Sequence, residues 1–486
     1  MMKIMTLPML NGRWHLPAPS TRACRKLTPV LLALLLGGCA VGPDYHRPTV
    51  NVPTHYKEAK GWREATPQDT QSKGEWWSVY HDNTLSGLLR QVSISNQNVA
   101  QYEAQYRQAK ALVAESRSDL FPSATYTGSS TRSGSTTSGQ RTTSNSQSLQ
   151  ASASWELDIW GKLRRTLEEN KASAQASEAE LANITLSAQS ELAQDYFQLR
   201  IMDRQIALYQ ESVAAYQRYL TVINNKYQAG SESRGTLAQA QAQLESARAS
   251  ALDLSWQRAQ TEHAIALLIG KTPAEFSLPA TTEMTATLPP LPQAVPSTLL
   301  QRRPDIAYAE RTVAAANAAV GVAIAGYYPD LTLSASGGFS SSALHNLLSL
   351  PNRVWSLGPS LSGTLLDFGA TSSKVEQARA AYDADVASYR QAVLTGFQEV
   401  ENYLVELNTL QDEMAAQQRA TQAAQESARV TRNQYEAGMI DYLDVATTEN
   451  TSLSQQQSLL SLQSTQWVAS VELIAALGGG WTAPSH

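Results

Sequence analysis

Cysteine is nearly absent from this 486-residue chain: there are two, Cys24 and Cys39, both near the N-terminus. The body therefore has no disulfide framework and no cysteine-based metal site. Aromatic residues make up 7 % and charged residues 17 %, low for a chain that would bury a large globular core. Basic charge is also short, with 38 Lys+Arg against 43 Asp+Glu, and five of the basic residues fall in the first 38 positions, which hold no acid. Without that stretch the remainder carries 33 positive and 43 negative charges, a net of −10. No basic excess is left to neutralise phosphates, which excludes a general nucleic-acid binder. His46, His55, His81, His263, His345 and His486 show no metal-ligand spacing. There is no Walker loop, nucleophile elbow or Gly-rich dinucleotide turn. Carboxylate pairs such as Glu168-Glu169 read as solvated faces, so the expectation is a protein that is not an enzyme and uses no cofactor.

What is present begins with the N-terminus. Arg25-Lys26 precedes an apolar run from Leu27 to Leu36, too short for a permanent span of about 20 residues. The run ends in Leu36-Gly37-Gly38-Cys39, which resembles a bacterial lipoprotein signal whose cysteine becomes the lipidated first residue. An ordinary secretory signal with an incidental cysteine is the alternative. Ala40 follows rather than Asp, which in such signals implies the outer membrane. The stretch before Arg22 is long for a signal's basic region, pointing to a start downstream of Met1. The expected organisation is a signal at 1–38, an anchored strap at 39–80, two structural repeats at 81–295 and 296–478, and a tail at 479–486.

The strap contains Pro43, Pro48, Pro53 and Pro67 without sustained periodicity. A helical period runs from about Leu88 to Leu120 and stops at Phe121-Pro122. The period then changes to two: Leu149, Ala151, Ala153, Trp155, Leu157 and Ile159 alternate with Gln150, Ser152, Ser154, Glu156 and Asp158. This predicts a two-faced strand over 149–159, with a partner beginning after Pro122 and a Ser/Thr/Gly loop over Gly128 to Ser148 between them. From Lys162 to Ala229 there is no Gly or Pro, enough for a helix of roughly 100 Å. It breaks at Tyr227-Gln228-Ala229-Gly230. A second helix returns with Leu237, Ala240, Leu244, Ala247, Ala251 and Leu254 at alternating spacings of three and four, a coiled-coil repeat.

The second half repeats the first. Tyr328-Pro329 lies 207 positions after Phe121-Pro122, and Leu366-Asp367-Phe368-Gly369 lies 208 to 209 after Leu157-Asp158-Ile159-Trp160-Gly161. Tyr435-Glu436-Ala437-Gly438 repeats the first tip at 208, as Gly478 repeats Gly270. The matching strands are expected at Leu331 to Ser340 and Trp355 to Leu365, joined by a loop at Ala343 to Arg353. Strands of this length and two-faced character suit an outer membrane. Lipid tolerates no open sheet edge, and four strands cannot close a barrel, so the chain must oligomerise if they span.

Taken in order, these residues resemble the outer-membrane factor family of tripartite efflux systems (TolC/OprM-like), in its lipoprotein branch. The most specific elements are Cys39-Ala-Val-Gly-Pro-Asp-Tyr45, Trp76-Trp77 with Asp82 and Leu85, Arg303-Pro304-Asp305-Ile306 with Ala309-Glu310, Ala314-Ala315-Ala316-Asn317, and the repeated tips. The resemblance implies a mainly α fold with transmembrane β: a long coiled-coil α-barrel and four strands per chain, completing a 12-stranded barrel as a homotrimer. It implies a passive duct in the bacterial outer membrane with a periplasmic extension, a lipid on Cys39, and partners in a periplasmic adaptor, an inner-membrane pump and the membrane lipids. A lipid-anchored adaptor or coiled-coil surface protein shares the rods and the signal and remains the alternative.

The tips are the candidate site. Gly230 and Gly438 permit left-handed turns, and Tyr227 and Tyr435 stand ready to brace neighbouring helices. By resemblance Tyr227, Gly230, Ser231, Arg234, Tyr435 and Gly438 dock the adaptor. Asp441 and Asp444, three residues apart, share a helical face and are expected to line a periplasmic gate; two acids stabilising a helix N-terminus is the other reading. Asp444 falls where a family member has a carboxylate, whereas Thr447 and Ile440 replace an Asp and an Arg found in other members. Arg303-Pro304-Asp305 suits a helix start and is taken as structural. Only Met202, Met284, Met414 and Met439 follow the signal and strap, which disfavours a methionine-lined metal path.

Overall fold

The computed structural model describes residues 40–53, 56–57, 75–289 and 302–479. Cys39, the signal and the 479–486 tail beyond Gly479 lie outside the described residues. The elements run α1 (Asn83–Ser95), α2 (Gln97–Ser118), β1 (Ser123–Thr137), β2 (Gln140–Leu157), α3 (Lys162–Gln228), α4 (Arg234–Leu268), α5 (Pro304–Ala325), β3 (Asp330–Ser341), β4 (Arg353–Ser362), α6 (Ala370–Glu436) and α7 (Tyr442–Ala476). The two rods α3 and α6 are each 67 residues and the two returning helices α4 and α7 each 35.

Two compact units form, and they cut across the sequence repeats. One takes the described residues of Met1–Pro43, Arg117–Thr166 and Ala319–Val375; the other takes those of Asp44–Ser116, Leu167–Ala318 and Glu376–His486. The two repeats are therefore not separate compact bodies. The reason lies in the sheet, whose order is β1-β2-β3-β4, all antiparallel. A strand pair from one repeat has two open edges, and pairing β2 with β3 across the repeats removes one from each.

In the sheet unit the expected loop at Gly128 to Ser148 is strand instead. β1 and β2 stay paired up to Thr137 opposite Gln140, leaving a two-residue turn. Ser138 and Gly139 have φ of 52° and 81°, the pair of positive values that a tight hairpin of matching twist requires. The segment has no apolar face, so apolar alternation misses it, yet its hydroxyl pairs lock the ladder: Ser133 and Ser144, and Ser129 and Ser148, are each 2.8 Å apart. β4 ends at Ser362, three residues before the expected Leu365.

Directly opposed residues share a face, so the register sorts the sheet. One face carries Tyr126, Leu149, Trp155, Leu331, Leu333, Phe339, Trp355, Leu357 and Leu361. The other is almost wholly hydroxyl: Thr125, Thr127, Ser129, Ser148, Ser152, Ser154, Thr332, Ser334, Ser336, Ser340, Ser356 and Ser360.

The repeated Leu-Asp motifs cap the rods. Asp158 accepts from the N–H groups of Leu163 and Arg164, both at 3.0 Å, at the start of α3. Asp367 accepts from the N–H groups of Gly369 at 3.0 Å and Thr371 at 2.8 Å at the start of α6, and the Thr371 hydroxyl together with these backbone donors lowers its carboxyl to about 2.

In the helical unit the expected single helix over Leu88 to Leu120 is two, α1 and α2. Asn96 between them is extended (φ −66°, ψ 125°), and its Oδ1 accepts from Asn98 and Val99 N–H at 2.9 and 3.1 Å, capping α2. Trp76, Trp77, Tyr80, Leu85, Leu89, Leu192, Tyr196, Phe197 and Trp467 form the largest core. Asp82 organises it: Oδ1 caps Leu85 N–H at 2.9 Å, and Oδ2 accepts from the Tyr196 and Thr285 hydroxyls. The coiled-coil stripe of α4 is buried at Ala240, Leu244 and Ala247.

Candidate functional site: the hairpin tips

Each rod reverses through the same local device. At the first tip Gly230 (φ 75°) donates to Tyr227 O at 3.0 Å and Ser231 N–H donates to Lys226 O at 2.9 Å. At the second, Gly438 (φ 73°) donates to Tyr435 O at 2.9 Å and Met439 to Gln434 O at 2.9 Å. This is the Schellman closure, which satisfies the last carbonyls of a helix through a left-handed residue. Ser231 adds its hydroxyl to Lys226 O at 3.0 Å.

The restart differs between the tips. Ser233 caps α4 by accepting from Thr236 N–H at 3.0 Å. Asp441 holds the corresponding position before α7, but its carboxylate accepts no capping hydrogen bond. Asp441 therefore stands just outside the helix rather than on its face, while Asp444 lies in the first turn. Both are exposed, and among the described residues neither carboxylate is hydrogen-bonded or ion-paired.

Tyr435 is the residue that braces. It is buried, its ring centroid lies 6.1 Å from that of Tyr442, and Lys226 Nζ sits 4.7 Å over its face and 3.4 Å from its hydroxyl. Tyr442 also meets Tyr219 at 5.9 Å and donates to Gln243 Oε1 at 3.1 Å; burial pushes its phenol well above its usual range. Ile223, Ala240, Val445 and Ala446 complete this small core. Tyr227, expected to brace likewise, is half-buried and enters none of these ring contacts. Arg234 opens α4 and is exposed. Sequence reasoning passed over Tyr442 and Lys226, whose roles come from the other hairpin rather than from their neighbours in sequence.

Above the tips, Arg303 confirms its structural character. Its guanidinium forks onto Asp305 at 3.0 and 2.7 Å and reaches Glu399 at 2.7 Å and Ala476 O at 3.1 Å. Glu168 and Glu169 are half-buried rather than solvated, and burial raises the Glu169 carboxyl. Among the described residues no cluster of three or more His, Cys, Asp or Glu is placed to hold a metal, and no helix is long and apolar enough to cross a membrane.

The sequence model of outer membrane efflux proteins matches the chain twice, over residues 88–271 and 295–479, once for each helical hairpin with its strand pair. The chain belongs to the outer membrane efflux protein family. It is 28 % identical to the cation efflux system protein CusC of Escherichia coli O6:H1, over 94 % of this chain and 99 % of that one. It is 26 % identical to the probable outer membrane lipoprotein SilC of Salmonella typhimurium, over 94 % of this chain and 99 % of SilC. Among solved structures, the outer-membrane channel OprN superposes with a TM-score of 0.83 at 29 % identity, covering 91 % of this chain and all of OprN. This protein is an efflux channel of the outer membrane, and the alternative of a periplasmic adaptor is set aside.

Proposed function

We propose that three copies close edge β1 of one sheet onto edge β4 of the next, forming a twelve-stranded barrel with the apolar face to lipid and the hydroxyl face to the lumen. The observation that carries this is the sheet itself: among the described residues both outer edges are unpaired, and Trp355, Leu357 and Leu361 are about 70 % exposed on the face that must be covered. The helical hairpins form the periplasmic part of a passive duct, and their tips, with Tyr227, Gly230, Ser231, Arg234, Tyr435 and Gly438, meet a periplasmic adaptor that links the duct to an inner-membrane pump. Asp441 and Asp444 from three chains place six unpaired carboxylates around the mouth, which favours cations.

The lipid belongs on Cys39. Ala40, the next residue, packs against Gly161, where a Cβ would come within 2.7 Å of it, and Val41 N–H donates to Trp160 O at 3.0 Å. This fixes the strap beside the end of β2 at Leu157, the level at which an acyl chain would enter the inner leaflet. The resemblance to SilC, named as a lipoprotein, points the same way.

The closure is tested by placing one cysteine at Thr127 in β1 and pairing it in turn with cysteines along 354–361 in β4. Inter-copy disulfides at alternating positions, in a species that resists detergent until heated and runs at the mass of one chain only when heated with reductant, are expected. No inter-copy disulfide at any position, with monomeric mobility throughout, overturns the barrel.

A further inference from the structure

We propose that Arg132 and Arg353, on the two edge strands of the sheet, each bind phosphate groups of outer-leaflet lipids. The inference rests on the barrel reading above and adds to it a lipid headgroup contact.

The register places both side chains on the apolar face. Gly128, Leu149, Phe339 and Arg353 lie opposite one another in a single row across the four strands. The row on the inner side is Tyr126, Ala151, Gly337 and Trp355, with Tyr126 86 % and Trp355 74 % exposed. Exposed aromatics at one level of a lipid-facing sheet mark the membrane interface. From Leu331 to Phe339 the apolar face extends eight residues, roughly 27 Å along a strand and about 21 Å of membrane depth at the usual tilt, close to the thickness of an outer-membrane apolar band. Arg353 thus sits at the outer border of that band, where its stem lies along apolar surface and its head reaches the polar layer.

Arg132, opposite Asn145, lies four residues beyond Gly128 on the same face, about 10 Å further out after allowing for tilt. That distance is the depth of a headgroup layer. Arg141, opposite Thr136, is also on this face but about 20 Å beyond the band, outside the layer. Charge completes the argument: residues 122–155 and 331–362 contain no Asp or Glu, and the two carboxylates of the strands, Glu156 and Asp330, lie at the opposite end of the sheet beside Lys162, so none competes for these guanidiniums. A planar guanidinium offers two parallel N–H donors, which suits phosphate oxygens.

The probe is diphosphoryl lipid A against its dephosphorylated form, with the assembled full-length channel in lipid nanodiscs and retained lipid counted by native mass spectrometry. The wild type should retain the diphosphoryl form in preference. Combined Arg132→Gln and Arg353→Gln should lower that preference about tenfold, the Lys versions should restore part of it, and Arg141→Gln should leave it unchanged. Equal retention by the double variant overturns the site, as does an equal loss from Arg141→Gln, which would mean diffuse attraction only. Full displacement by millimolar inorganic phosphate would also overturn it, since any anion would then suffice. An absence of heat-sensitive trimer in the wild type is a failure of the barrel reading instead, and it is read on the same sample by gel mobility.

Discussion

Asn96 and Arg303 occupy the same joint in the two halves of the chain. Asn96 Nδ2 donates to Leu268 O at 2.8 Å, Arg303 Nη1 donates to Ala476 O at 3.1 Å, and the two acceptors are 208 positions apart. Asn96 therefore ties the start of α2 to the end of α4 and Arg303 the start of α5 to the end of α7, and Arg303 adds Asp305 and Glu399 to the knot. Replacing Arg303 with Ala leaves a largely buried carbonyl and two carboxylates without their cation. The expected cost is about 3 kcal/mol, at the lower end for a broken buried ion pair because both acids are partly exposed. Asn96→Ala should cost about 1 to 2 kcal/mol through the lost cap and carbonyl bond. Thermal melting of the solubilised channel, with Arg303→Lys failing to restore the fork, checks both values.

The four Schellman glycines separate into two classes. Around Gly230 and Gly438 an added Cβ would meet nothing within 4 Å, whereas at Gly270 and Gly478 it would run into the backbone oxygens of Ser95 and Arg302. Gly230→Ala and Gly438→Ala should therefore cost only the left-handed conformation, about 1 to 2 kcal/mol each. Gly270→Ala and Gly478→Ala must also push two backbones apart and should prevent assembly. The yield of heat-modifiable trimer in outer-membrane fractions distinguishes the classes.

Burial, with Glu191 one turn away adding to it, raises the Asp195 carboxyl in α3 to about 7. A carboxyl whose folded pKa exceeds its unfolded value of about 4 stabilises the fold fully below that unfolded value, and the contribution is lost as pH rises towards 7. Asp195→Asn should raise the melting temperature at pH 8, leave it nearly unchanged at pH 4, and flatten the fall between them. A uniform shift at both pH values would show that ionisation of Asp195 is not the cause.

The rods were legible because an uninterrupted run without Gly or Pro has few other solutions, and the strand centres because Leu149 to Leu157 alternates. The outer halves of β1 and β2 were not, since Ser and Thr on both faces give no contrast to read. The break at Asn96 was hidden inside a continuing helical period. Tyr435 was legible as a brace, but the difference between it and Tyr227 depends on which hairpin supplies Lys226 and Tyr442. Tyr442 lies seven residues beyond Tyr435 in the same hairpin, but the Lys226 contact joins residues 209 positions apart.

Epitope insertion probes the corrected hairpin. A short insert between Ser138 and Gly139 lengthens only the turn and should be tolerated and accessible on intact cells. The same insert after Gly128 interrupts the ladder between β1 and β2 and should abolish assembly, whereas a genuine loop there would accept it. The β3–β4 connection is held by Asn352 Nδ2 donating to Asn346 O at 2.7 Å and by Ser341 donating to Asn346 Oδ1 at 2.6 Å, so insertion there should be intermediate.

The Asp441 and Asp444 carboxylates set the last expectation. The hydroxyl face of the sheet carries no charge between Thr125 and Ser154 or between Thr332 and Ser360, and its two carboxylates, Glu156 and Asp330 at the strand ends, are both paired with Lys162 Nζ at 3.3 Å. Charge selection then falls to the periplasmic mouth. Asp441 makes no cap bond, so removing its side chain sacrifices no hydrogen bond of the fold, and Asp444 is likewise unpaired among the described residues. Carboxylates gathered threefold attract cations and repel one another. In planar bilayers Asp441→Ala with Asp444→Ala should alter conductance, relieve divalent-cation block and lower cation preference on the order of twofold, with the larger share from Asp444. Because neither side chain is engaged in the tip core of Tyr435 and Tyr442, the variant should melt at nearly the wild-type temperature. Unchanged conductance, selectivity and block in a correctly assembled double variant would remove these acids from the gate.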